Sequence, residues 1–258
     1  MNMNPLSLLE HVNLNIPDHS YKEFYYRILR LAQDPRRCTL DGKGTIWANA
    51  GACQLHLPEG VPAQVLPGKI GLLYKRGSLA SLQERLEDYS RLPLVEKSKF
   101  AWKPDGSSIN IVGPYGNHFI ACGAEDIECQ PWHSMGVQPN GEAAEACGMH
   151  FVEVFVRRSA AAGLAAFYRH YFNAAVKEEP GKAIISIGEE SVRQTLIFSE
   201  SSEEGVAYDG HHICIYLAAG FEESFTKLHQ RGLIFVNPRP RFGCAKTLEG
   251  ARREKQYR

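Results

Sequence analysis

No stretch of this chain approaches the eighteen or so consecutive apolar residues that a membrane span needs, so no membrane partner is expected. The opening MNMNPLSLLEH has no basic region followed by a long apolar run, so it does not read as a secretory leader. Charge of one sign is also lacking. Lys+Arg and Asp+Glu number 29 each, so no global field selects nucleic acid or an anionic surface, and a small neutral or weakly charged ligand is the expected partner. The one basic cluster, Arg239, Arg241, Arg252, Arg253, Lys255 and Arg258, reads as a solvated segment. The 7 cysteines are odd in number and show no CxxC spacing. Cys53 and Cys214 lie within apolar strand-like runs, which points to buried reduced thiols and a cytoplasmic protein rather than a disulfide framework.

What is present is a repeated pattern. Val12, Leu14 and Ile16 alternate with His11, Asn13 and Asn15, the period-two signature of a strand with one apolar and one polar face. Asp18 or Ser20 can cap a following helix that carries Phe24, Ile28 and Leu31 on one side and ends at Asp34-Pro35. Two short strands are predicted at 45–50 and 52–57, stopped by Pro58-Glu59-Gly60. The same order restarts at Lys69, with a helix near 79–89 and strands at 99–102, 107–113 and 118–122. A third copy opens at 149–156, with a helix over 159–172 and strands at 183–187 and 192–198. A fourth opens at 211–217, with a helix near 222–230; a short strand at 233–236 and a charged helical segment at 247–258 follow it. The aperiodic, Pro- and Gly-containing stretch 124–148 is the predicted linker between residues 1–123, a first pair of modules, and 149–258, a second pair. Phe151 follows His11 by 140 residues and Gln194 follows Gln54 by the same interval, so the halves share a register.

The segment His11-Val-Asn-Leu-Asn-Ile-Pro-Asp18, followed by Phe24-Tyr25, resembles the opening strand and helix of the vicinal oxygen chelate superfamily. Gly113-Pro-Tyr-Gly-Asn-His-Phe-Ile120 is similar to its closing hairpin. That superfamily holds glyoxalases, ring-cleaving dioxygenases and drug-sequestering proteins. The resemblance implies an α+β fold of tandem βαβββ modules forming two curled mixed half-barrel sheets, helices on the convex face, with the last module incomplete. It also implies a small-molecule substrate whose neighbouring oxygens chelate a divalent metal (Fe, Zn, Ni or Mn), making the protein a lyase, isomerase or dioxygenase. The alternative is a metal-free small-molecule binder or a non-catalytic member.

Family ligands come from the first residue of opening strands and a glutamate on closing strands. His11 and His212 occupy opening positions, and His212 is favoured over His211 as facing the cavity. Lys69 holds the opening position of the second module, where an ammonium cannot replace a neutral imidazole. Ile120 stands where the closing glutamate belongs, with His118 on the same strand. In the third module His150 falls in phase with Val152, Val154 and Val156, which leaves Phe151, Glu153 and Phe155 facing the cavity. Glu153 is therefore expected as the carboxylate ligand or a general base, raised in pKa by its aromatic neighbours, in a metal set with His11 and His212. Gln54, His56, His118, Gln194, Phe151 and Phe155 are the expected pocket wall, and Trp47 and Trp102 would add to it in a metal-free binder.

Overall fold

The computed structural model describes residues 4–34, 44–124, 141–188, 194–202, 208–235 and 246–258. The chain is α+β, with helices laid against two curled mixed sheets. The first module contributes β1 (Leu6–Asn13), a π-helical turn (Phe24–Ile28), β2 (Ala32–Gln33), β3 (Ile46–Ala50) and β4 (Cys53–Leu57). The second contributes β5 (Gly68–Tyr74), α1 (Ser78–Ser90), β6 (Ala101–Asp105), β7 (Ser108–Val112) and β8 (His118–Gly123). The third contributes β9 (Ala146–Arg157), α2 (Ala161–Phe172), β10 (Val176–Glu179), β11 (Lys182–Ile187) and β12 (Gln194–Ser201). Of the fourth, β13 (His212–Leu217) and α3 (Phe221–Gln230) are described, followed by α4 (Leu248–Glu254).

Within each complete module the opening strand lies parallel to the last strand, as in β1 with β4, β5 with β8 and β9 with β12. Between modules the pairing differs from the sequence expectation that neighbours in sequence share a sheet. The five-stranded sheet runs β13-β1-β4-β3-β2, joining the first module to the fourth. The eight-stranded sheet runs β10-β11-β12-β9-β5-β8-β7-β6, joining the third to the second. Opening strands meet antiparallel at both junctions, β1 on β13 and β5 on β9. The physical reason is edge satisfaction: each four-stranded module leaves its opening strand unpaired on one side, and another opening strand is its complement.

Both junctions carry the same irregularity. On β1 the register slips at Ser7 and at Glu10, where Leu6 and Leu8 face Leu217 and Tyr216, and Leu9 and His11 face Ile215 and Cys214. On β9 it slips at Cys147 and His150, each 140 residues after its counterpart in β1. Each slip is a β-bulge, so the buried residues recur every third position: Leu6, Leu9 and Val12, then Ala146, Met149 and Val152. Downstream of the bulge the period returns to two, and Leu14 and Ile16 are buried as expected.

The first helix departs from expectation. It is the π-helical turn, not a helix to Leu31, because Arg30 takes a positive φ of 52° and its chain leaves to pair with Glu142 and Glu145. Strand β10 had no predicted counterpart, and β9 begins three residues before its predicted start. Residues 233–235 carry no strand, and the remainder of that expected strand, with Arg239 and Arg241, lies outside the described residues.

The closing motif of the second module has a structural duty. Asn117 accepts from the Leu66 N–H (2.9 Å) and donates to the Gln64 carbonyl (3.0 Å), pinning the crossing from first to second module. The Tyr115 hydroxyl donates to the Asp18 carbonyl at 2.7 Å, and Gly116 supplies the left-handed φ of 103° that the turn requires. Among the described residues no helix is long and apolar enough to cross a membrane.

Candidate metal centre

The cross-strand registers decide which side chains share a face. His11 lies opposite Gln54 on one side and Cys214 on the other, while Asn13 lies opposite both His56 and His212. Trp47 faces His56, and Asn49 faces Gln54. The five-stranded sheet thus presents His212, His11, Gln54, His56, Asn49 and Trp47 on one surface, with Val12, Leu55 and Ala48 buried behind it. Aliphatic and imidazole faces separate as the alternation of β1 predicts.

Three imidazoles meet there. His11 and His56 stack with ring centroids 3.9 Å apart, and His212 meets His11 edge-on at 5.5 Å. Trp47 extends the stack over His56 at 4.2 Å. Glu10 joins them because of the bulge: as the extra residue of β1 it is released from strict alternation, and its carboxylate Oε2 bonds His11 Nδ1. Potential ligand atoms of Glu10, His11 and His56 all lie within 4.8 Å of one another, with both residues of the Glu10–His11 pair partly shielded from solvent. Two imidazoles and a carboxylate are a donor set for first-row divalent ions, and a carboxylate on Nδ1 leaves the Nε2 lone pair of His11 available. The residues present therefore fit a divalent metal ion.

Gln54 belongs to this surface as a support for His56: its Oε1 lies 2.7 Å from His56 Nε2. His212 Nε2 lies 3.4 Å from the Arg258 guanidinium, and His212 Nδ1 lies 3.4 Å from the Gly210 carbonyl. His211 turns to Asp209 at 2.6 Å, whereas His212 meets the His11 ring. Burial opposes ionisation of Asp209, but its bonds with His211 win and hold the carboxyl below its ordinary range. Cys214, beside His11, has its thiol pushed up to about 12 by burial and by the Glu10 charge.

The other expected site residues are not brought to this cluster. Glu153 lies in the eight-stranded sheet, where the Ser199 hydroxyl donates to it at 2.6 Å and Lys69 and Lys182 approach at 4.0 and 3.8 Å. The aromatic surroundings expected to isolate this carboxylate are replaced by two ammoniums and a hydroxyl. Phe151, the counterpart of His11, lies over Gly71: a Cβ on Gly71 would fall 2.3 Å from its ring, so the sheet position equivalent to the imidazole site is filled by a phenyl group. Phe155 stands beside the Lys69 ammonium, 6.0 Å from ring centroid to nitrogen. His118 is exposed at the start of β8. His150 is the bulge residue of β9, and burial lowers its pKa. Trp102 bonds Ser90 at 3.0 Å, away from Trp47.

Gln194 lies on the eight-stranded sheet, where backbone groups hold its amide. It is buried, its Oε1 accepts from Leu9 N at 3.0 Å, and its Nε2 lies 3.2 Å from Leu9 O and 2.8 Å from Met149 O. The side-chain amide supplies hydrogen bonds to the backbone of Leu9 at the bulge and ties the two sheets together. The residue missed from sequence is Glu10, since alternation assigns it to the face opposite His11.

No family model and no curated protein sequence matches the chain. Among solved structures, one described as a "putative dioxygenase" from Bacillus subtilis superposes with a TM-score of 0.59 at 14% identity, covering 92% of this chain and 78% of that one. The chain shares the fold of that structure. Two further solved structures align at lower scores. The 2,3-dioxygenase LapB from a Pseudomonas species has a TM-score of 0.37 at 13% identity, over 92% of this chain and 84% of its own. Lactoylglutathione lyase from Agrobacterium tumefaciens has a TM-score of 0.31 at 18% identity, over 47% of this chain and 96% of its own. The imidazole cluster sits at the junction of two opening strands, β1 and β13.

Proposed function

We propose that this chain is a divalent-metal-dependent vicinal oxygen chelate enzyme of the dioxygenase or lyase kind, acting on a small molecule with two adjacent oxygens. The observation that carries the reading is the convergence of His11, His56 and Glu10, with His212 alongside, on one face of the five-stranded sheet. Those residues would hold the ion, and a bound ion would supply Lewis acidity toward neighbouring substrate oxygens. The protein's own contribution is orientation. Glu10 fixes the ring of His11, and Trp47 offers an aromatic face beside His56 against which a planar substrate can lie. Glu153, paired with lysines, is left out of the proposed ligand set, as are Phe151 and Phe155.

Metal analysis of the purified protein after dialysis against Zn²⁺, Mn²⁺ or Fe²⁺ tests the proposal. It expects stoichiometric ion in the wild type and in Glu153→Gln, and loss of the ion in His11→Ala. A wild type that retains no ion overturns it. The second reading, a metal-free binder of aromatic molecules, is favoured by the near-parallel rings of Trp47, His56 and His11, with interplanar angles of 27° and 25°. Under that reading an aromatic probe would quench Trp47 fluorescence equally with and without a chelator.

A further inference from the structure

We infer that the buried side chains Asp34, Asn49 and Gln54 are positioning residues that lock His56 in one tautomer, with the proton on Nε2 and the lone pair on Nδ1. The proposed ion centre then receives His56 through Nδ1, a consequence that rests on the reading above; the tautomer itself does not.

Donors and acceptors fix the arrangement. Gln54 is buried, and its Nε2 has two hydrogens. One faces Asp34 Oδ2 at 2.7 Å and the other faces Asn49 Oδ1 at 3.0 Å. Asn49 in turn donates its own Nδ2 to the same Asp34 oxygen at 3.2 Å, which fixes the direction of its amide as well. Reversing the Gln54 amide would set its carbonyl against two acceptor oxygens in a buried site, the costly arrangement. The Gln54 Oε1 must therefore point the other way, and there it meets His56 Nε2 at 2.7 Å. A carbonyl only accepts, so Nε2 must be the protonated nitrogen. Register places the parts: Asn49 and Gln54 face each other across β3 and β4, and Asp34 follows directly on β2, its N–H bonded to the Trp47 carbonyl at 3.1 Å. Asp34 and Asn49 are both buried, so water does not compete for these bonds.

The pair of neighbouring rings is then oriented in opposite senses. His11 meets Glu10 through Nδ1, which makes Nε2 its candidate ligand atom, whereas His56 meets Gln54 through Nε2, which makes Nδ1 its candidate ligand atom.

Long-range ¹H–¹⁵N correlation spectra of the metal-free, ¹⁵N-histidine-labelled protein read the tautomer directly. The expected result is a single Nε2–H form for His56 in the wild type, and a mixture with the Nδ1–H form in Gln54→Met and in Asp34→Asn. Adding Zn²⁺ should shift His56 Nδ1 and leave Nε2 protonated, and Gln54→Met should weaken Zn²⁺ binding by about 10- to 100-fold. An Nδ1–H form in the wild type overturns the inference, and so does an unmixed Nε2–H form in folded Gln54→Met. The wild-type spectrum decides even where a variant fails to fold. A locked tautomer with no Zn²⁺ response would sustain the inference about Gln54 while sinking the proposed metal centre.

Discussion

At the scale of single residues, equivalent positions do unequal work. Gln54 and Gln194 stand at matching places in their modules, yet one orients an imidazole while the other binds the Leu9 and Met149 backbone. Gln194→Leu should destabilise the fold by about 1–3 kcal/mol for each buried backbone group left without its partner, read as a lower urea midpoint. Gln54→Leu should likewise lower stability, because it removes the donor to the buried Asp34 and Asn49 oxygens, and should in addition weaken ion binding through His56. The buried thiols set an alkaline limit. Burial raises Cys53 to about 11 and, with the Glu10 charge, Cys214 to about 12, from an ordinary value near 9. The native state therefore binds more protons than the unfolded chain above that value, and stability should fall as pH rises from about 9 toward 11 and 12. Cys53→Ala should flatten part of that slope in denaturation curves taken across pH. His11, Gln54, His56 and His212 were legible because alternation in β1, β4 and β13 puts polar groups on one face. Glu10 was not, because a bulge is a tertiary event at a strand junction and leaves no mark in a two-residue period.

At the scale of elements, the repeated bulges explain both what alternation predicts and where it fails. Sequence reading places the opening strands and their aliphatic faces downstream of Val12 and Val152, and a two-residue period carries no sign of the bulges at Glu10 and His150. The short first helix has a similar cause, for the contact that draws Arg30 away comes from Glu142 and Glu145, distant in sequence. The Gly71–Phe151 contact gives an element-level test. Gly71→Ala should cost about 1–3 kcal/mol through overpacking at the β5–β9 junction, measured by chemical denaturation. Phe151→Leu in the same chain should recover much of that loss, and strictly additive effects would mean that the ring does not press on Gly71.

At the scale of the whole molecule, the chain closes on itself: its first module pairs with its fourth, and the second pairs with the third. Sequence could supply the modules but not their partners, because all opening strands look alike and only the assembled edges distinguish them. A fragment of residues 1–123 should consequently lack cooperative unfolding and aggregate, since β1 and β5 would each lose a neighbouring strand. Cooperative, monomeric folding of that fragment, seen by denaturation and light scattering, would count against the interlock. The same closure unites His11 and His56 with His212, residues far apart in sequence, while Glu153 is held by the other sheet.

The most direct test of that placement is paramagnetic broadening by Mn²⁺ in ¹⁵N-histidine-labelled protein. Substoichiometric Mn²⁺ should erase the imidazole signals of His11, His56 and His212 while those of His118 and His170 persist. Broadening that begins at His118, or that spares His11, would contradict a centre built at the junction of β1 and β13.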